Sequence, residues 1–412
     1  MKRLLLVLLL SLVTWQFVHA QEDFMWGKQF GTNMDDKPRS LATDLSGNIF
    51  IFGKTKGALG DSLTGGEDGF VVKIDELANI VWETQLGTKD NDDLLKGVTD
   101  HLGNLYVTGY SEVNGEQHKN KDILVVKISG DGEIVWQKQF GTENDDQGVD
   151  IDISGNGDIY VIGQTKGLMG EKSYGDDDCI ILRLDNEGSQ IKAVQIGTPA
   201  TDIGSGIFIK NDSTIYICGS TAGELAGVNA GALDVFCGVI SNELEVNTLM
   251  QHGSADVDFP SDLLTDINGN IYIAGSTRGN MGAEQLGNGD CFVQKLNKNG
   301  EVLWSRQFGT SNWDGVNGLN IYDENSIIIS GCTNYPNCES FCRIYDSSGN
   351  LLWGKTHVLQ GAGGGTCGKG ICIDSKGYIF HTGYTGANMF SGLKGEHDIF
   401  VVKFKLDDIK SK

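Results

Sequence analysis

Short apolar runs closed by glycine recur along the chain at an almost constant interval. They read GNIFIFG ending at Gly53, GNLYVTG at Gly109, GDIYVIG at Gly163, STIYICG at Gly219, GNIYIAG at Gly275, NSIIISG at Gly331 and GYIFHTG at Gly383. The intervals are 56, 54, 56, 56, 56 and 52 residues, and such regularity marks a repeat architecture before any single motif is weighed. A second apolar run follows each of them, opened by Asp68, Asp122, Asp178, Asp234, Asp290 or Asp398, with Glu339 in that place in the sixth copy. A third run, as in NIVWETQLGT (79–88), and a fourth placed ahead of the glycine run, as in LLKGVTD (94–100), complete the unit. Runs this short, rich in β-branched and aromatic residues and joined by turn sequences such as DLSGN and DINGN, predict four strands per unit.

Seven such units predict an all-β chain: a seven-bladed β-propeller of four-stranded antiparallel blades, whose radial repetition leaves only short, protected edges. A linear β-solenoid is the competing arrangement, but its repeats are usually shorter. With strands labelled A to D from the centre outward, blade one is expected over 38–44, 48–53, 69–74 and 79–86. Blade seven supplies A (369–374), B (378–383) and C (398–404), after which no strand D follows. WGKQFGT (26–32) repeats WQKQFGT (136–142) and WSRQFGT (304–310) with no unit ahead of it. This N-terminal segment is therefore expected to be strand D of blade seven, closing the ring and removing its free edges. The Trp of the motif recurs at 82 and 353, while Lys192 and Thr248 hold the slot in the other two copies; packing between blades is the expected role.

The succession W-x-x-Q-F-G-T, Asp, an apolar strand, G-N-x-Y-V-x-G and D-x-F-V-V-K resembles the SBBP-type β-propeller repeats of exported and cell-surface bacterial proteins, over essentially 26–406. That resemblance implies an extracytoplasmic propeller serving adhesion, ligand binding or scaffolding, and it brings no catalytic residue set. The quinone-binding and calcium-binding constellations of quinoprotein-type propellers are absent, as are the WD40 and kelch signatures.

Composition sharpens the picture in three places. The 58 glycines against 4 prolines suit many short strands and tight turns. The opening MKRLLLVLLLSLVTWQFVHA has the basic start, apolar run and small residue of a secretory signal cleaved after Ala20. The expectation is a single propeller over 21–406 with a tail at 407–412, monomeric, and secreted, periplasmic or on the cell surface. No later stretch approaches the roughly 18 apolar residues of a membrane span. The formal net charge is −23, or about −25 without Lys2 and Arg3, which argues against nucleic acid as a partner and for a solvated surface or cation-binding loops.

Candidate chemistry clusters on one face. Ten residues after each Trp slot stands Asp36, Asp92, Asp146, Asp202, Asp258 or Asp314, with Gly363 in the last copy. Six carboxylates ringing one face form either a site for a cation such as calcium, or for a basic partner, or a set of turn caps. The long, Gly-rich connections from strand B to strand C start at Thr55, Thr165, Thr221, Thr277 and Thr385 and are candidate binding loops, although their likeness to one another argues that each is in part a structural turn. Lys or Arg at 73, 127, 183, 295 and 403 reads as a strand-end ion pair between blades.

All nine cysteines lie from Cys179 onward; Cys218 and Cys237, on adjacent strands, are a candidate disulfide, and Cys332, Cys338 and Cys342 cluster in blade six. Without a C-x-x-C spacing no zinc site is expected. His381 and His397, near Asp398, come nearest to an acid/base pair, and no catalytic motif is present. The leading functional reading is a non-enzymatic binding or scaffolding module for a protein, peptide or glycan. The alternatives are a polysaccharide-active hydrolase or lyase with acidic residues at the channel mouth and a cation-stabilised structural surface protein; calcium is the candidate cofactor.

Overall fold

Strands B and C are buried along nearly their whole length, as in Ile49–Thr55 and Asp68–Ile74 of blade one, whereas strand D is exposed at its start, as in Ile80–Leu86. A strand covered on both faces reads as a continuous apolar run and not as an alternating one, which is why the glycine-closed runs carry the repeat signal. The computed structural model describes residues 24–60, 62–114, 119–357 and 365–405; the expected signal segment (1–20) and tail (407–412) lie outside them.

Among the described residues the strands form seven four-stranded antiparallel sheets, without helices. Six sheets use consecutive strands, and the seventh has the order N-terminal strand, C, B, A. In it Trp26–Phe30 pairs with Asp398–Phe404 in the register Trp26↔Lys403 to Phe30↔Ile399, alongside Ile379–Thr385 and Thr366–Ile373. The N-terminal segment is thus strand D of blade seven, as its motif predicts. Apolar side chains of neighbouring blades interleave into shared cores, such as Phe50, Phe52 and Val71 of blade one with Leu94, Val107 and Leu124 of blade two.

The glycine that closes the apolar run within each strand B has a local cause. Opposite it strand A carries a β-bulge, and a Cβ on Gly163 or Gly383 would lie 1.9 Å from a strand-A carbonyl oxygen. Only glycine admits so close an approach.

The Trp slot joins neighbouring blades. Trp26, Trp82, Trp136 and Trp304 each donate the indole N–H to a carbonyl in the C–D turn of the next blade, those of Glu76, Gly130, Asn186 and Ser347, at 3.0–3.1 Å. Lys192, standing in the same slot, donates its ammonium to Glu243 O at 2.7 Å. The strand-C cations serve the same junctions: Lys73 pairs with Asp44 at 3.6 Å in its own blade and donates to Gly130 O of the next, and Arg183 bridges Asp158 and Glu243.

Candidate functional site at the loop face

Strand A begins at Asp36, Asp92, Asp146, Asp202 and Asp258, and in blade six one residue before Asp314; all six aspartates singled out by the spacing are fully buried. Each carboxylate accepts the backbone N–H of the residue four before it, Thr32, Thr88, Thr142, Thr198, Ser254 or Thr310. The set is a ring in the sense of symmetry, but it sits beneath the loop face, inside the junctions between blades. In blade seven the spacing singled out Gly363, outside the described residues; the sheet register gives the equivalent place to Thr366, which pairs with Thr385 as Asp36 pairs with Thr55.

The aspartates that open strand C form a second buried set against the first. The glycine of the FGT motif separates them: a Cβ on Gly253 would lie 2.2 Å from Asp234 Oδ1 and 2.9 Å from Asp258 Oδ2, and one on Gly309 2.7 Å from Asp290 Oδ1 and 2.6 Å from Asp314 Oδ2. Oδ1 of Asp178, Asp202, Asp234 and Asp290 is buried with no hydrogen-bond partner. Burial, reinforced by the facing carboxylate, raises Asp36, Asp92, Asp258 and Asp314 above the usual carboxylate range. A carboxyl held there keeps its proton more readily, and a proton relieves the repulsion between two like charges.

The strand-C aspartates also anchor the loops. In blade three Gln195 Nε2 donates to Asp178 Oδ2 and to Gly167 O, both at 2.9 Å, while Gln195 Oε1 accepts the N–H of Met169 and Gly170. Gln85, Gln251, Gln307 and Gln29 do the same in blades one, four, five and seven. The glutamine of W-x-x-Q-F-G-T is therefore a loop clamp, a role that the motif signalled and the spacing of acidic residues did not.

Thr55, Thr165, Thr221, Thr277 and Thr385 are buried and do not line the loop surface; their hydroxyls accept the N–H two residues on, those of Gly57, Gly167, Gly223, Gly279 and Ala387. The same five blades carry the clamp. In blade two the ladder instead continues into the connection, to Asn114↔Lys119.

What varies between blades sits beside these fixed parts. Three positions recur at the junctions: the residue before the strand-B threonine or serine, the residue before the strand-C acid, and the residue after the next blade's strand-A aspartate. Between blades one and two they are Lys54, Glu67 and Asp93, with Lys54 Nζ at 2.5 Å from Glu67 and 3.8 Å from Asp93. Between blades seven and one they are Tyr384, His397 and Lys37, where Lys37 Nζ lies 5.6 Å from the Tyr384 ring and His397 stacks edge-on against it at 5.0 Å. Between blades four and five they are Ser220, Leu233 and Phe259, and between six and seven Cys332, Cys338 and Cys367. Exposed apolar side chains stand farther out on the clamped loops: Leu63, Leu168, Tyr174, Val228 and Leu286. A groove of about 730 Å³ lies between the loops of blades three and four, lined by Tyr174, Thr198, Pro199 and Leu225.

His381 and His397 are not a pair. His381 is buried, with Nε2 2.6 Å from Ser340 Oγ and Nδ1 3.0 Å from Gly370 O, and burial pushes it down to about 4; His397 Nδ1 meets Asp35 Oδ1 at 2.7 Å. Cys218 and Cys237 stand opposite one another in the register of blade four, but both are free thiols packed in an apolar core, and burial raises Cys237 to about 12. The candidate bridge is not formed.

The central channel holds a different group. Its cavity of about 290 Å³ is walled by the later halves of the A strands and includes Lys96, Asp150 and Asp262. Lys96 Nζ lies 2.6 Å from Asp262 Oδ2, and burial pushes Asp150 up to about 7 against the pull of Lys96.

Comparison with known proteins agrees with this construction. The SBBP β-propeller repeat matches residues 26–61 and 251–280. The regulatory protein FlaEY of Caulobacter vibrioides is 22% identical over 357 residues, 79% of this chain and 34% of that protein, so the chain spans about a third of its relative's length. A solved polysaccharide lyase, a PL25 ulvan lyase, is similar at a TM-score of 0.53 and 14% identity, covering 93% of this chain and 99% of that one. The same lyase family bound to -[GlcA(1-4)Rha3S]- gives 0.51 at 12% identity over the same shares. These likenesses are of fold. The chain thus carries SBBP β-propeller repeats in two places, within a closed ring of seven blades built on one residue plan.

Proposed function

We propose that the protein is an exported, non-enzymatic binding or scaffolding module that recognises a protein, peptide or glycan with its loop face. One observation carries this reading. The residues that repeat are buried and spent on turns and clamps, whereas the junction triplets change from ionic to aromatic to apolar to thiol around one face. Rigid loops presenting varied, partly exposed side chains are the usual substrate of recognition. The likeness to a stretch of a regulatory protein supports a role without catalysis.

Glycan and peptide arrays probed with the purified chain test the reading. Binding should fall about tenfold in Lys54→Ala or Phe259→Ala, as for a contact worth more than 1 kcal/mol, while the thermal melt stays in place. Binding untouched by changes on this face would overturn it. Calcium is the cation for which the paired aspartates would be a site; a melting temperature that falls on chelation would support the cation-stabilised reading, and an unchanged one would remove it.

The enzymatic alternative has one feature in its favour, the Lys96–Asp262–Asp150 group with a carboxyl poised near neutrality beside a cavity. A polysaccharide hydrolase or lyase would release reducing ends or unsaturated sugars, and lose that activity in Asp150→Asn.

A further inference from the structure

Six blade junctions set an aspartate of strand A against an aspartate of strand C; the junction of blades six and seven does not. Its backbone is the same: Thr366 N–H donates to Cys338 O at 2.7 Å, as Asp92 N–H donates to Glu67 O and Asp202 N–H to Asp177 O. Its side chains differ, with Glu339 and Thr366 in place of the two acids. Three cysteines converge beside them: Cys332 near the end of strand B, Cys338 in the shortened connection, and Cys367 second in the next strand A. Their three sulfurs lie within 4.8 Å of one another, and none is in a disulfide. At 7%, 7% and 3% exposure they sit just under the loop face, within reach of a small solute and screened from bulk water.

We propose that Cys332, Cys338 and Cys367 form a three-thiolate site for a soft d10 cation, Zn(II) or Cu(I). Thiolates select these ions over hard cations. A metal–sulfur distance of about 2.3 Å would place three sulfurs roughly 3.8–4.0 Å apart, inside the observed limit. The surroundings suit an anionic cluster: Tyr384 packs against it, and Lys37 and Lys369 place their ammonium groups 5.6 and 5.8 Å from that ring. His381 lies close by, but both its nitrogens are engaged with Ser340 and Gly370. Zinc would therefore keep an open fourth position for a water or an exogenous donor, whereas Cu(I) is satisfied by three sulfurs. These thiols are one of the junction triplets counted toward the loop-face reading, but metal binding by them does not require that the loop face bind a partner.

The test is metal loading of the full chain, isolated reduced and without oxygen. One equivalent of Zn²⁺ or Cu⁺ should survive desalting, as measured by elemental mass spectrometry. Co²⁺ should give thiolate charge-transfer bands with strong visible transitions if the site takes a fourth ligand and zinc is its ion; copper retained without them assigns Cu(I). Cys338→Ser, in the connection and not in a strand, and Cys367→Ser should each weaken retention at least tenfold with the fold intact by circular dichroism, while Cys237→Ser keeps the metal. A folded wild-type chain that holds neither ion, or whose peptide map shows two of the three cysteines joined under loading conditions, overturns the proposal.

Discussion

At the scale of the residue, one glutamine in each of five blades decides whether a long loop is a surface or a structure. Gln195 satisfies two loop N–H groups, one loop carbonyl and one buried carboxylate. Its truncation strands those partners in a place water reaches poorly. Gln195→Ala should cost about 1–3 kcal/mol in urea unfolding, the usual penalty for buried polar groups left without partners, and should make the 166–177 loop the first site of proteolytic cleavage. An unchanged midpoint with an intact loop would show that the clamp is decorative. The sequence displayed this glutamine plainly in the repeated QFGT motif, but its target lies across the strand pair and in the loop, and no spacing along the chain announces that. The cysteines show the same limit from the other side. Spacing groups Cys332 and Cys338 with Cys342, whereas strand pleating turns Cys342 into the apolar core with Ile328 and Ile344, and the third sulfur comes from the next blade.

At the scale of the element, the short N-terminal strand carries more than its length suggests. Phe30 is buried in the core shared by blades seven and one, and Gln29 clamps a loop of the last blade. Phe30→Ala should cost about 3–5 kcal/mol, the range for a buried aromatic truncated to a methyl. Removing residues 24–32 should lower the melting temperature well beyond that single change, because strand C of blade seven would then present an unpaired edge. A deletion that melts like the parent chain would refute the ring closure. This element was legible because it is a fragment of a motif displaced from its unit. The strand boundaries were legible too, to within two or three residues; what slipped was the register of blade seven, where the longer connection displaces the aspartate slot from Gly363 to Thr366.

At the scale of the whole molecule, the buried carboxylates set how stability answers to pH. Burial raises the native carboxyls of Asp36, Asp92, Asp258 and Asp314, and takes Asp152 to about 6 and Asp150 to about 7. Unfolded, each releases its proton near the ordinary value of 3.8, so between roughly pH 4 and 7 the native state binds more protons than the unfolded one. Their contribution is complete below that window and is lost as pH rises through it. Against the burial that raises it, Asp35 is held low by hydrogen bonds from Lys37 and His397, so its contribution is lost only in stronger acid. The melting temperature should therefore peak on the acid side of neutrality, and Asp150→Asn should flatten the fall toward pH 7. A melt that rises steadily from pH 5 to 7 would contradict this.

The closure of the ring also imposes an order in time. Gln29 and Asp398 meet across 369 residues, so the propeller's first strand in chain order waits for its last. Blades one to six can each assemble from contiguous chain, while the seventh is a loop closure over nearly the whole propeller, the slowest class of contact to form. Until then the molecule is a curved row of finished blades with an exposed edge at either end, the stage most open to capture by a neighbour's edge. A circular permutant that joins the two termini and opens a C–D turn elsewhere would only relocate that waiting edge; one cut between blades, so that every blade is contiguous, should close faster and aggregate less during refolding.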